Sequence, residues 1–382
     1  AIGLMGLGAA TTLFCYSPIA KKVQPKWTFL AASVLLTVAQ VLFGLPTPTW
    51  VFDLCRFLTG AGIGLLATVP EYIKSVLPPN EHGRAILVNI CAFGAGITAG
   101  VVGGLLLDWH WVLAGGAVPS MALLPLCFWL PETPPSTTRE GEHLGVWGTV
   151  VGSWRAMVLA TAYNGGGINA LWFFSTSLFR AVGVTNMALV TLIPLAAGVT
   201  GPLLGLTVER RWKSKKGRLL TGLLVSSGLI ALMSGTIGQN PMVAIIGFCG
   251  YFSIFLMLIA PGINEMIPDL ANGRRGTSLA LGIQWLMLPI VTLPFPNLVS
   301  RLGASWSMLP FAVVSALYAL FVAFCVPNAS GYGDPVTPVS LVSLEEAGNG
   351  RASKRKRPRQ SSKKYPHPAR KRPIRQHRRR HR

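Results

Sequence analysis

Long apolar blocks divided by short polar ones dominate this chain. Eleven apolar runs can be traced, at 2–20, 28–47, 50–70, 86–107, 111–130, 156–179, 187–208, 219–237, 242–264, 277–299 and 304–326. Each approaches the roughly 20 residues that a helix needs to cross a bilayer. Lipid offers nothing to hydrogen-bond an open backbone, so the runs predict helices rather than isolated strands. The expected fold class is therefore an all-α polytopic membrane protein with eleven visible helices. The first run is apolar from Ala1, with no basic leader, so the N-terminus reads as truncated.

Composition agrees with that pattern. The 382 residues are 51% hydrophobic and 12% charged, against about 25% charged in ordinary soluble chains. The six cysteines are scattered through apolar runs and show neither a pairing framework nor metal spacing. No metal, cofactor or catalytic constellation is expected. The six histidines lack carboxylate partners at ligand spacing, and no phosphate-binding glycine loop ends in Lys-Ser/Thr. The chemistry therefore points away from an enzyme and from ATP-driven work.

The net charge of +21 is unevenly placed, since residues 351–382 hold 16 of the 34 Lys/Arg and no acid. This proline-broken tail, 331–382, is expected to be disordered and to rest on anionic lipid rather than on nucleic acid. Among the inter-helix loops one set is basic, through Lys21, Lys22, Lys26, Arg84, Arg210, Arg211 and Arg274, while the alternate set is nearly bare. The positive-inside rule puts the basic loops and the C-terminus in the cytosol. Eleven spans leave Ala1 outside, and a preceding helix would make twelve.

An internal repeat follows. "PEYIKSVLPPNEHGR" (Pro70–Arg84) returns loosely as "NEMIPDLANGRR" (Asn264–Arg275), and basic "IAKKVQPK" is answered by "VERRWKSKKGR" at nearly the same offset. Two six-helix halves repeated about the membrane normal are the architecture of the major facilitator superfamily, with substrate held between the halves. The expected divisions are 1–130 for the N-terminal half, 131–154 for a cytosolic linker and 155–330 for the C-terminal half.

Several stretches then resemble the sugar-porter branch of that superfamily. "RFLTGAGIGLLATVPEYIKSVLPPNEHGR" (Arg56–Arg84) resembles R-x-x-x-G-x-G-x-G…P-x-Y-x-x-E, and "LPETP" its P-E-S-P-R. "VERRWKSKKGR" resembles E-R-x-G-R-R. "GINALWFFSTSLF" (Gly167–Phe179) is similar to helix seven of the facilitative glucose transporters, G-I-N-A-x-x-Y-Y-S-T-S-I-F. The resemblance spans about residues 1–330 without the family's first helix. It implies a plasma-membrane carrier that moves a hexose-like sugar by alternating access, without a cofactor.

The same resemblance implies the site. Asn169 keeps the helix-seven amide, Asn164 keeps one of a Gln-Gln pair, and Tyr163 replaces the other. Gln284 and Trp285 stand for the Asn-Trp of helix eleven. An amide both donates and accepts, which suits sugar hydroxyls. The glycines Gly165–Gly167 would let the helix bend. Asn169 also reads as an interhelical hydrogen bond, with the glycines as close-packing sites. Phe173 and Phe174 replace a gating Tyr-Tyr pair, and Trp172 reads as a packing residue. Glu132, Glu209 with Arg210 and Arg211, and Glu265 with Arg274 and Arg275, keep inner-gate charges. In the first half, Ser75 replaces the family's glutamate and His82 its arginine. Glu71 reads as a poor substitute, pointing elsewhere than position 75 would. Asp53 is the one acid inside an N-terminal run and lies near its outer end, so facilitated diffusion is favoured over proton coupling. Ile90, Ala197 and "APGIN" depart from the family's polar site. They keep open a carrier of another small organic solute, or a transport-inactive receptor or sensor.

Overall fold

A computed structural model of the chain describes residues 2–20, 22–133, 145–181, 183–184, 187–212, 214–236 and 240–328. The basic tail and part of the linker lie outside the described residues. Every expected apolar run falls on one helix or on a bent pair. In chain order they are α1 (Ile2–Tyr16), α2 (Pro25–Phe43), α3 (Thr49–Leu66), α4 (Val69–Val76), α5 (His82–Leu106), α6 (Trp109–Gly115) and α7 (Ala117–Trp129). Then follow α8 (Val146–Gly152), α9 (Trp154–Gly165), α10 (Ile168–Ala181), α11 (Met187–Arg211), α12 (Lys215–Thr236) and α13 (Pro241–Ile254). A π-helical turn, Phe255–Ile259, leads into α14 (Ala260–Leu270), α15 (Gly273–Thr292), α16 (Phe295–Trp306) and α17 (Leu309–Cys325). The last part of the expected linker is thus helical, as α8.

By length and hydropathy, six of the described helical stretches can cross a bilayer on their own. A seventh arises if α15 and α16, bent by 62°, count as one span. The sequence suggested eleven. The difference lies in helix breaks and short helices. The 156–179 run is split at its glycines, and α1 and α17 hold only 15 and 17 residues. Lipid-type solvation fits the outer surface, where Leu106, Val118, Phe128 and Phe324 are exposed. Trp50, Trp111, Trp129 and Trp306 are exposed at or near helix ends, the level of a bilayer interface.

Two seams join helices from before residue 131 to helices from after residue 155. Along one, α1 packs on α15, and along the other, α5 packs on α11. In the first seam Ser278 Oγ donates to the Leu13 carbonyl at 3.1 Å. α1 also crosses α3 at backbone contact. A methyl added at Gly60 would stand 2.0 Å from the Met5 carbonyl oxygen, and one at Gly8 2.1 Å from that of Phe57. Small residues let membrane helices approach this closely, where dispersion replaces the missing hydrophobic force.

This crossing should be intolerant of a single methyl. Gly60→Ala is expected to lower the melting temperature in detergent, with an overpacking cost of about 1–3 kcal/mol. Gly228→Ala meets open space on α12 and should be neutral or stabilising, by up to about 1 kcal/mol. Equal melting temperatures for the two variants would contradict the crossing.

Candidate functional site

The glycine run breaks its helix. α9 ends at Gly165, Gly167 adopts φ +84°, and α10 starts at Ile168. A side chain at Gly167 would be strained in that conformation and would also strike the Phe311 ring. The break is braced as well as bent. Tyr251 of α13, almost fully buried, donates its hydroxyl to the Gly166 carbonyl at 2.9 Å. Tyr318 of α17 lies over Gly165 and donates to Thr161 Oγ1 at 2.8 Å. At membrane depth a broken helix must have its freed carbonyls satisfied by protein, and Tyr251 does so for Gly166. Both readings of the glycines therefore hold: they bend the helix and admit close neighbours.

Across the break, Asn169 Nδ2 donates to Asn164 Oδ1. Asn164 is 2% exposed and donates Nδ2 to the Gln284 carbonyl of α15 at 2.5 Å. Both ends of the Asn164 amide are thus engaged by protein. Asn164 is the tie between α9, α10 and α15. Asn169, half-buried, keeps its own carbonyl outside this tie.

Gln284 and Trp285 differ from Asn164. Gln284 is 4% exposed, yet its Oε1 has no hydrogen-bond partner among the described residues, and neither does Trp285 Nε1. An unpaired acceptor and an unpaired donor thus sit on consecutive residues at the middle of α15. Such buried orphans cost about 1–3 kcal/mol each, and a hydroxylated ligand can supply both kinds of partner. Tyr163 packs edge-on against Phe255, with ring centroids 5.1 Å apart. Phe174 packs on Phe295, Phe173 is half-buried, and Trp172 stacks on Phe252 at 4.6 Å as a packing residue. Two small crevices occur among the described residues. One, lined by Glu71, Asn264 and Thr277, lies between α4, α14 and α15, and neither includes Asn169 or Gln284.

The charged network differs from the expected one. Glu265, 3% exposed, is not held by Arg274 or Arg275. Arg218 Nη2 sits 3.1 Å from its Oε2 and Lys215 Nζ 2.9 Å from its Oε1, both from α12. Arg274 reaches Glu71 instead, Nε to Oε1 at 3.5 Å, and donates to Tyr16 Oη at 3.0 Å and to the Val23 carbonyl at 3.1 Å. The expectation for Glu71 is therefore corrected. Positions 71 and 75 are one helical turn apart and share a face, so Glu71 presents a carboxylate on the face that position 75 would use. Ser75 merely donates to the Tyr72 carbonyl at 2.7 Å.

The remaining expected gate residues are dispersed. Arg275 Nε has no partner among the described residues, while the Arg275 carbonyl accepts from Ser17 at 3.1 Å. Glu209 lies against Gly83, and Arg210 and Arg211 are exposed at the end of α11. Glu132, at the start of the linker, pairs with Lys26 of the first half, and its carboxylate is exposed. That hydrogen bond holds the Glu132 carboxyl below its usual range. Its small contribution is present above the unfolded pKa and lost as pH falls through the folded one. Lys74, Lys215, Arg218, Asp269 and Tyr251 were missed in the sequence. Opposite charges three apart on α4, Glu71 and Lys74, were the available signal for the first of them.

Fold and seams define a class, a polytopic helical membrane protein built from two packed helix sets with an amide cluster and a charged helix-end network. The chain belongs to the Major Facilitator Superfamily, whose profile matches residues 1–294. It is 22% identical over 403 aligned positions to the glucose transport protein of Synechocystis sp., covering 86% of each chain. It is 23% identical to the glucose transporter GlcP of Staphylococcus epidermidis, covering 86% of this chain and 85% of the relative. Among solved structures, the proton:xylose symporter XylE matches with a TM-score of 0.73 at 20% identity, over 87% of this chain and 86% of that one.

Asn164→Ala removes both bonds of the tie and is expected to lower stability by about 1–3 kcal/mol, read as a fall in melting temperature in detergent. An unchanged melting temperature would contradict the tie.

Proposed function

We propose that this chain is a carrier for a neutral, hexose-like sugar, moved down its gradient by alternating access and without chemical conversion. The carrying observation is the pair of unpartnered buried atoms, Gln284 Oε1 and Trp285 Nε1, at the middle of a seam helix whose Gln284 carbonyl is tied through Asn164 to Asn169. A site built to hydrogen-bond hydroxyls gains most from a ligand that satisfies those atoms. Two relatives named as glucose transporters support the substrate class.

In this reading residues 1–130 and 155–330 are the moving halves, with α10 as the outer lid and Phe173 and Phe174 at its mouth. The Glu71–Arg274 bridge closes the inner side. The basic loops face the cytosol, the tail meets anionic lipid there, and the plasma membrane is the site of action.

Uptake of labelled D-glucose into proteoliposomes tests this. Saturable uptake that survives a protonophore is expected. Absence of saturable uptake by a folded, full-length protein would overturn the reading, and uptake that collapses with the proton gradient would overturn the uniport part of it.

A further inference from the structure

Five charged side chains meet at the helix ends around α14, and their arithmetic is uneven. Glu265 and Asp269 are the acids. Arg218 and Lys215, both on α12, serve Glu265, and Lys215 Nζ also lies 3.5 Å from Asp269 Oδ2. Two carboxylates thus have two cations from their own half. Lys74 arrives from α4, in the other half, as a third. Its Nζ sits 2.7 Å from Asp269 Oδ1 and also donates to the Glu265 backbone carbonyl. Its side chain is 11% exposed.

Neutralising the acids does not require Lys74. What Lys74 adds is a bond between halves. Were α4 to move away, Glu265 and Asp269 would keep Lys215 and Arg218, and no carboxylate would be stranded. The lysine alone would pass into water, where an ammonium is well solvated. A buried ion pair normally resists opening because one partner is left uncompensated. Here the permanent pair on α12 removes that penalty from the acid side.

Polarity adds a second property. One turn back on α4, Glu71 faces Arg274 of α15. The two bridges run in opposite senses, one with the acid on α4 and the other with the base there. Sliding α4 one way would bring Lys74 towards Arg274, and sliding it the other way Glu71 towards Asp269, like against like in either case. Opposed bridges therefore fix one docking register.

We propose that Lys74 is the detachable key of the inner gate, docking into an acid pair whose neutrality is kept by Lys215 and Arg218. This rests on the alternating-access reading given above. Lys74 touches no substrate and acts as a positioning residue for the closed state.

Hydrogen exchange of the full chain in nanodiscs tests the proposal without using transport. Lys74→Met and Asp269→Asn should each raise exchange several-fold across residues 69–76 and 260–270. The double variant should add clearly less than the sum of the two, because both break the Lys74–Asp269 bond and each loses one contact of its own besides, and Lys74→Arg should restore protection. Flat exchange in the single variants, or fully additive effects in the double, would overturn it. If Lys74→Met does not fold, judged by melting temperature, the Asp269→Asn and Lys74→Arg arms still decide. Failure of sugar uptake would refute the substrate reading and leave this readout standing.

Discussion

Polar groups placed at membrane depth must find their partners inside the protein, and most of this structure can be read from that requirement. The α9–α10 break frees the Gly166 carbonyl, and Tyr251 meets it. Asn164 is buried, and Asn169 with the Gln284 carbonyl uses both of its ends. Glu265 is buried, and α12 brings two cations to it. Gln284 Oε1 and Trp285 Nε1 are two of nine buried side-chain atoms without a partner among the described residues, and the two that lie on α15 at and next to the residue tied to Asn164. They are atoms that the fold itself does not serve, which is the property expected of a ligand site.

Helix α15 links the two regions. Its first turn carries Arg274, bridged to Glu71, and its middle carries Gln284 and Trp285, tied by Asn164 to the break. It also forms a seam with α1. A shift of α15 therefore moves the charged end and the amide cluster together. The substrate reading gains a physical route for coupling occupancy to closure, through one rigid element rather than a chain of weak contacts.

The helical runs were legible in the sequence because apolar length is a direct signal. The break was legible too, since three glycines beside an amide have few structural uses. Partners across space were harder. Asn164 and Gln284 were both picked out as ligands, yet only the structure shows that Asn164 ties three helices while Gln284 Oε1 has no protein partner among the described residues. Glu71 was misjudged by a turn of helix, and Lys74 was passed over because the resemblance directs attention to position 75. Charges in a motif mark where ion pairs can form, but the pairing depends on how α4 and α14 sit against each other.

The central claim is that α15 presents atoms reserved for a sugar hydroxyl. Calorimetric titration of D-glucose into the purified full-length protein, wild type against Gln284→Ala, addresses it most directly. The account predicts binding by the wild type and a loss of about 5- to 150-fold in the variant, the equivalent of 1–3 kcal/mol, at nearly unchanged melting temperature. Equal affinity in both proteins, or a variant that melts early while binding normally, would contradict it.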